Sequence, residues 1–219
     1  MFVYPFGPLL YHNTISNEFH KFLLDGAQNS KRYGKDSRSK LAGNIELQRT
    51  AIYNPEKFSS FVEPHIRKFI KEEYETQKKL MQLFGDEDQY YKATGFDQYK
   101  YANLDTQIKF DFGAGPWINF QHKGEFNPMH DHTGKISAII FIDIPEEIAK
   151  ERENSDYATA MSGCLLFNYD KSRRCAIGPK TKSIFLFPSD LDHTVYPFSC
   201  DVERISMSFN VYDYKVDET

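Results

Sequence analysis

Disulfide and zinc-finger chemistry are the first things this sequence lacks. Its three cysteines, Cys164, Cys175 and Cys200, are odd in number and show no CxxC spacing. That excludes a disulfide framework and a zinc knuckle, and leaves reduced thiols with Cys164 facing a core. A basic field is missing too: 27 Lys+Arg stand against 31 Asp+Glu, for a net charge of -4 and a pI near 6.0. Neither nucleic acid nor an anionic membrane is signalled. The opening MFVYPFGPLLYHN has no basic n-region and its apolar run is broken by two prolines. It reads as an opening strand, not as a signal peptide or a membrane span. Tryptophan is nearly absent, with Trp117 alone, and no internal repeat is found.

What is present fits one domain with a helical extension: 219 residues can bury a real core without staples. Aromatics make up 16% of the residues, which favours strands. Ser16 or Asn17 caps a first helix carrying Phe19, Phe22, Leu23 and Leu24, with Gly26 placed to end it. Positions 28–43 are polar and basic and read as a solvated loop or a lid. Asn54-Pro55-Glu56 starts a long helix with Phe58, Phe61, Val62, His65, Ile66, Phe69 and Ile70 on one face, fading near Leu83 and Gly85. Positions 86–104 read as an insertion. Beyond them Ile108, Phe110 and Phe112 begin a two-residue alternation. Strands are predicted at 117–122, 129–132, 136–144, 163–169, 182–187, 194–197 and 204–212, with a charged loop over 145–162. Helices first and about eight strands after is an α+β order, the strands forming one barrel or sandwich. Residues 1–105 are expected to be a strand and helical support, and 106–219 the β core of the same domain.

His130 and His132 sit two apart, so on a strand both point to one face. His193 lies at the mouth of a distant strand. Two ligands at i and i+2 plus a third from elsewhere is how a β-barrel builds a facial three-ligand metal site. Arg204 opens a strand in which Ile205, Met207 and Phe209 form one face. If that face packs on the helices, Arg204 turns into the barrel, where a guanidinium demands an anion. Ser206 shares its face. A dicarboxylate held by Arg204 and Ser206 at one end and by a metal at the other accounts for these positions together.

On Trp117, Gly124-x-x-Asn127-Pro128-x-His130-x-His132, Ser137, Leu186-Phe187-Pro188, His193-x-Val195-x-Pro197-Phe198 and Glu203-Arg204-Ile205-Ser206-x-Ser208-Phe209-Asn210, the sequence resembles the 2-oxoglutarate/Fe(II)-dependent oxygenase superfamily. Within it, the pattern is similar to a small group of oxygenases from bacterial viruses and marine bacteria. The resemblance implies a double-stranded β-helix, jelly-roll or cupin-like, with N-terminal helices packed outside. It implies metal ligands His130, His132 and His193, co-substrate contacts Arg204 and Ser206, and Fe(II), 2-oxoglutarate and O2 as cofactors, with ascorbate as reductant. The reaction implied is hydroxylation of a peptide, prolyl first, or of a small molecule; the reduced thiols suit the cytoplasm (the host's, if viral). Two departures matter. The superfamily usually carries His-x-Asp or His-x-Glu, so either His132 completes an all-histidine site or a bulge brings in Asp131; His132 is favoured. Phe120 stands where prolyl hydroxylases often place a tyrosine that touches the co-substrate.

Two other readings compete. A cupin-type metal dioxygenase or isomerase would use the same metal without 2-oxoglutarate, but lacks its glutamate after HxH and leaves Arg204 idle. A non-enzymatic β-sandwich binding or structural module, for example of a viral particle, would have no convergent Arg204. Oligomeric state does not follow from the sequence.

Overall fold

The computed structural model describes residues 7–95, 108–155 and 161–216. Strand β1 (Tyr11–Thr14) is followed by helix α1 (Asn17–Tyr33), a 3-10 turn at Arg38–Lys40, strand β2 (Leu47–Thr50), helix α2 (Pro55–Phe84) and helix α3 (Glu87–Thr94). Then come β3 (Ile108–Asp111), β4 (Trp117–Gln121), β5 (Asn127–His130), β6 (Ile136–Asp143), helix α4 (Glu146–Glu153) and β7 (Leu165–Asn168). Strands β8 (Arg174–Ile177), β9 (Ser183–Pro188), β10 (Asp192–Val195), β11 (Arg204–Val211) and β12 (Asp213–Val216) complete the order.

Two antiparallel sheets face each other, one of six strands in the order β1-β9-β6-β11-β4-β2 and one of four in the order β5-β10-β7-β8. Strands β3 and β12 form a separate ribbon. This is a double-stranded β-helix with helices on its outer face, as expected from the sequence. Between the sheets lie Ile139, Phe141, Leu165, Phe167, Phe185, Phe187, Leu191 and Val195. On the outer face of the larger sheet, Ile118, Phe120, Ile140, Met207 and Phe209 pack on Phe19 and Leu23 of α1 and on Phe58, Val62 and Ile66 of α2. Burying each of these residues is worth about 1.5–3 kcal/mol relative to exposure. The period of two along β11 does the sorting: Ile205, Met207, Phe209 and Val211 join the helical layer, while Arg204, Ser206, Ser208 and Asn210 turn inward.

Helix α1 is capped by Ser16, whose Oγ accepts from Phe19 N at 3.1 Å. It does not end at Gly26 but runs to Tyr33, absorbing part of the expected polar loop. Gly26 serves packing instead, since a Cβ there would stand 3.2 Å from the Ile52 carbonyl. Helix α2 runs through Pro64 to Phe84 and ends at Gly85 in the left-handed region, φ 82. The charged stretch 145–162 is not all loop, because Glu146–Glu153 form α4. Strands β2, β8 and β12 are additional to the expected set. The first six residues of the expected opening strand and positions 96–104 of the expected insertion lie outside the described residues.

Candidate metal and co-substrate site

His130 ends β5 and His193 stands on β10 directly opposite it. His132 lies two residues beyond the strand, and its backbone N–H donates to Ser189 O at 2.8 Å. One ligand atom from each of the three histidines lies within 4.8 Å of the others, and ring centroids are 4.3 to 5.1 Å apart. Asp131 is exposed and is not part of this cluster.

The ring hydrogen bonds fix which nitrogens face inward. His130 Nδ1 lies 2.7 Å from Pro128 O, and His193 Nδ1 lies 3.0 Å from Leu191 O. A carbonyl only accepts, so both Nδ1 atoms carry the proton and both Nε2 atoms keep a lone pair. Such a backbone contact is the usual support of a metal-bound imidazole. Burial, with the neighbouring His130 adding to it, holds His132 down to about 4 and His193 down to about 3. Both are therefore neutral at physiological pH, the form that binds metal. A cleft of about 190 Å³ opens on the triad, lined also by Lys40, Gly43, Gln48, Trp117, Asn127 and Ser208. It adjoins a groove of about 430 Å³ that runs past His132, Trp117, Tyr212, Lys35 and Lys40. A larger cavity, about 840 Å³, is lined by Leu166, Arg174 and Tyr196 and shares no residue with the triad.

Arg204 is only 2% exposed and faces the space between the sheets. Its Nη1 donates to Gly163 O at 2.8 Å and its Nη2 donates to the Gln121 side-chain oxygen. Phe141 and Phe198 present their rings to it at 5.7 and 5.9 Å. Burial draws its pKa down to about 9, so it remains cationic at neutral pH. Among the described residues no carboxylate pairs with it. Three buried polar atoms there lack a hydrogen-bond partner: Gln48 Oε1, Asn127 Oδ1 and Arg204 Nε. Two belong to residues that line the triad cleft and the third to Arg204. Ser206, on the same face of β11 as Arg204, is 6% exposed and opposite Asn119. Three converging imidazoles suit Fe(II), and a buried guanidinium without a carboxylate partner suits a carboxylate, so the residues present fit both groups.

Phe120 points the other way, into the helical layer, and is 0% exposed there. Its neighbours Asn119 and Gln121 are the β4 residues that face inward. The sequence reading passed over Gln48, Asn119, Gln121 and Gly163. Its available signal was two amides alternating with Ile118 and Phe120 on one strand.

A double-stranded β-helix with a histidine triad between its sheets defines a class of metal-site proteins. Residues 115–210 match the family described as "Putative 2OG-Fe(II) oxygenase". No curated protein matches the sequence. Among solved structures, a prolyl hydroxylase from Trichoplax adhaerens, in complex with a hypoxia inducible factor peptide fragment, is similar at 12% identity with TM-score 0.50. That alignment covers 94% of this protein and 84% of that one. A Pseudomonas putida prolyl-4-hydroxylase aligns at 11% identity over 93% and 92% of the two proteins, with TM-score 0.49. An oxidoreductase of the 2OG-Fe(II) oxygenase family from Burkholderia pseudomallei aligns at 13% identity and TM-score 0.36, over 59% of this protein and 57% of its own length. The family match over residues 115–210 covers a little under half of the protein and includes all three histidines and Arg204, so this part is similar to 2OG-Fe(II) oxygenases, whose cofactors are Fe(II), 2-oxoglutarate and O2.

Proposed function

We propose that the protein is a hydroxylase in which His130, His132 and His193 hold Fe(II) while Arg204 and Ser206 hold the distal carboxylate of 2-oxoglutarate. The observation that carries this reading is the pairing of three converging imidazoles with a buried guanidinium on the facing sheet that has no carboxylate partner among the described residues. Once bound, Fe(II) and 2-oxoglutarate supply the oxidising chemistry with O2, one oxygen atom going to substrate and the other to succinate as CO2 is lost.

The protein's own residues bind, orient and exclude water. The backbone carbonyls of Pro128 and Leu191 fix two imidazoles in the tautomer that presents Nε2. Arg204 neutralises a carboxylate in surroundings where Phe141 and Phe198 keep water out. Ser206 adds one hydroxyl hydrogen bond. The Trp117–Tyr212 groove of about 430 Å³ beside His132 is the place from which a substrate would bring one of its C–H bonds to the metal. A peptidyl substrate, prolyl first, is the substrate proposed; a small molecule is the alternative. The likeness to a prolyl hydroxylase solved with a peptide supports that order.

The test is formation of succinate from 2-oxoglutarate under Fe(II) and ascorbate, with and without candidate peptides. The expected result is turnover that needs both metal and 2-oxoglutarate and is stimulated by a true substrate. Failure of the Fe(II)- or Mn(II)-loaded protein to bind 2-oxoglutarate overturns the reading.

A further inference from the structure

Arg204 does not present a free guanidinium to the space between the sheets. Nη1 is committed to the Gly163 carbonyl and Nη2 to the Gln121 side-chain oxygen, leaving Nε as the buried nitrogen with no partner. Gln121 is itself held, since its Nε2 donates to Glu125 O at 2.5 Å. That bond obliges its oxygen, not its nitrogen, to face the arginine. Gln121 stands directly opposite Arg204 across the β4–β11 pair and is 1% exposed. The nearby acids are turned away. Glu203 engages Lys31 and His122, and Glu125 accepts from Glu46 N and His122 N.

We propose that Gln121 is a positioning residue for co-substrate recognition: it pins one end of the Arg204 guanidinium without neutralising it, so that the edge bearing Nε is left for a carboxylate. The inference rests on the oxygenase reading above and deepens it. A neutral amide is the chemistry the position needs. It accepts one N–H of the guanidinium as a carboxylate would, but leaves the positive charge unspent. A glutamate in the same place would form an internal ion pair and remove the cation from the site. An aliphatic residue would leave Nη2 unpartnered and the guanidinium free to turn.

The experiment is calorimetric titration of the Mn(II)-loaded protein with two probes, under anaerobic conditions. One is 2-oxoglutarate; the other is 2-oxobutyrate, which keeps the metal-binding 2-oxo acid and lacks the distal carboxylate. Gln121→Glu should weaken 2-oxoglutarate by about a hundredfold and Gln121→Met by about tenfold, the scale of one lost charge-assisted bond. Neither variant should change the affinity for 2-oxobutyrate or for Mn(II) beyond about twofold. A merely structural glutamine would move both probes together, and that outcome overturns the inference. So does a Gln121→Glu protein that binds 2-oxoglutarate as wild type does. If the glutamate variant fails to fold, the methionine variant decides alone by the same comparison. Wild-type protein that binds no 2-oxoglutarate removes the oxygenase reading, and with it this inference; loss confined to the variants leaves that reading standing.

Discussion

His130 and His193 are direct cross-strand partners on β5 and β10, with ring centroids 4.3 Å apart. Two imidazoles held this close by a sheet register need no rearrangement to share one ion, and His132 completes the set from the turn that follows. Replacing any of the three with alanine should abolish tight Fe(II) or Mn(II) binding, whereas Asp131→Ala should retain most of it. Titration of metal into the apo-protein measures this. Loss of binding in Asp131→Ala with retention in His132→Ala would assign the second ligand to the aspartate.

Acid should destabilise the metal-free protein through the same histidines. Burial holds His132 at about 4 and His193 at about 3, below the ordinary histidine value of about 6.5 in the unfolded state. Between those values the unfolded state binds more protons than the native one, so stability rises with pH. The contribution is complete above about 6.5 and is lost as pH falls toward 4 and then 3. Urea denaturation of the apo-protein across this window should show that slope, and His193→Gln should flatten it. A wild-type profile that is level from pH 4 to 7 would contradict the assigned burial.

Arg204→Ala should weaken 2-oxoglutarate by about 3–5 kcal/mol, the scale of breaking a buried ion pair, with the metal still bound. Arg204→Lys should recover part of the loss, because an ammonium keeps the charge but not the planar fork. Anaerobic calorimetry on the Mn(II) form reads both. Undiminished affinity in Arg204→Ala would mean that the carboxylate lies elsewhere.

On the proposed reading Ser206 gives the carboxylate one hydroxyl hydrogen bond, so Ser206→Ala should cost about 1 kcal/mol in 2-oxoglutarate affinity. The companion measurement is thermal stability, which should stay close to wild type.

Gly163 links helix α4 to the arginine. It adopts φ +66, and a Cβ there would come within 2.4 Å of Ile148 Cγ2, while its carbonyl holds Arg204 Nη1. Gly163→Ala should lower stability by about 1–3 kcal/mol and weaken 2-oxoglutarate as well. Thermal denaturation together with the titration tests the link; a variant with unchanged melting temperature and affinity would break it.

The barrel and its site were legible where residues carry a period or a chemistry. The alternation along β11 placed Ile205, Met207 and Phe209 on the helical layer and Arg204 inside, and the two-residue step of His130 and His132 marked the cluster that His193 joins. Less legible were features settled by tertiary contact. Gly26 looked like a helix end because its use is a close approach to Ile52, which no local pattern announces. Strand β2 is short and stands at the edge of the larger sheet, so its four residues carry too little pattern to be recognised. Phe120 was placed by its spacing from His130, yet its facing follows from the parity of β4, which sends Asn119 and Gln121 inward instead.

His130 and His193 belong to the smaller sheet, and Arg204 belongs to the larger one. A dicarboxylate reaching from the triad to the arginine would therefore act as a rivet through the wall of the barrel. Opening the sheets would require letting the molecule go, so ligand occupancy and resistance to breathing motions become one quantity. Amide protons of β5 and β10 should then exchange more slowly when metal and 2-oxoglutarate are both present than when either is supplied alone.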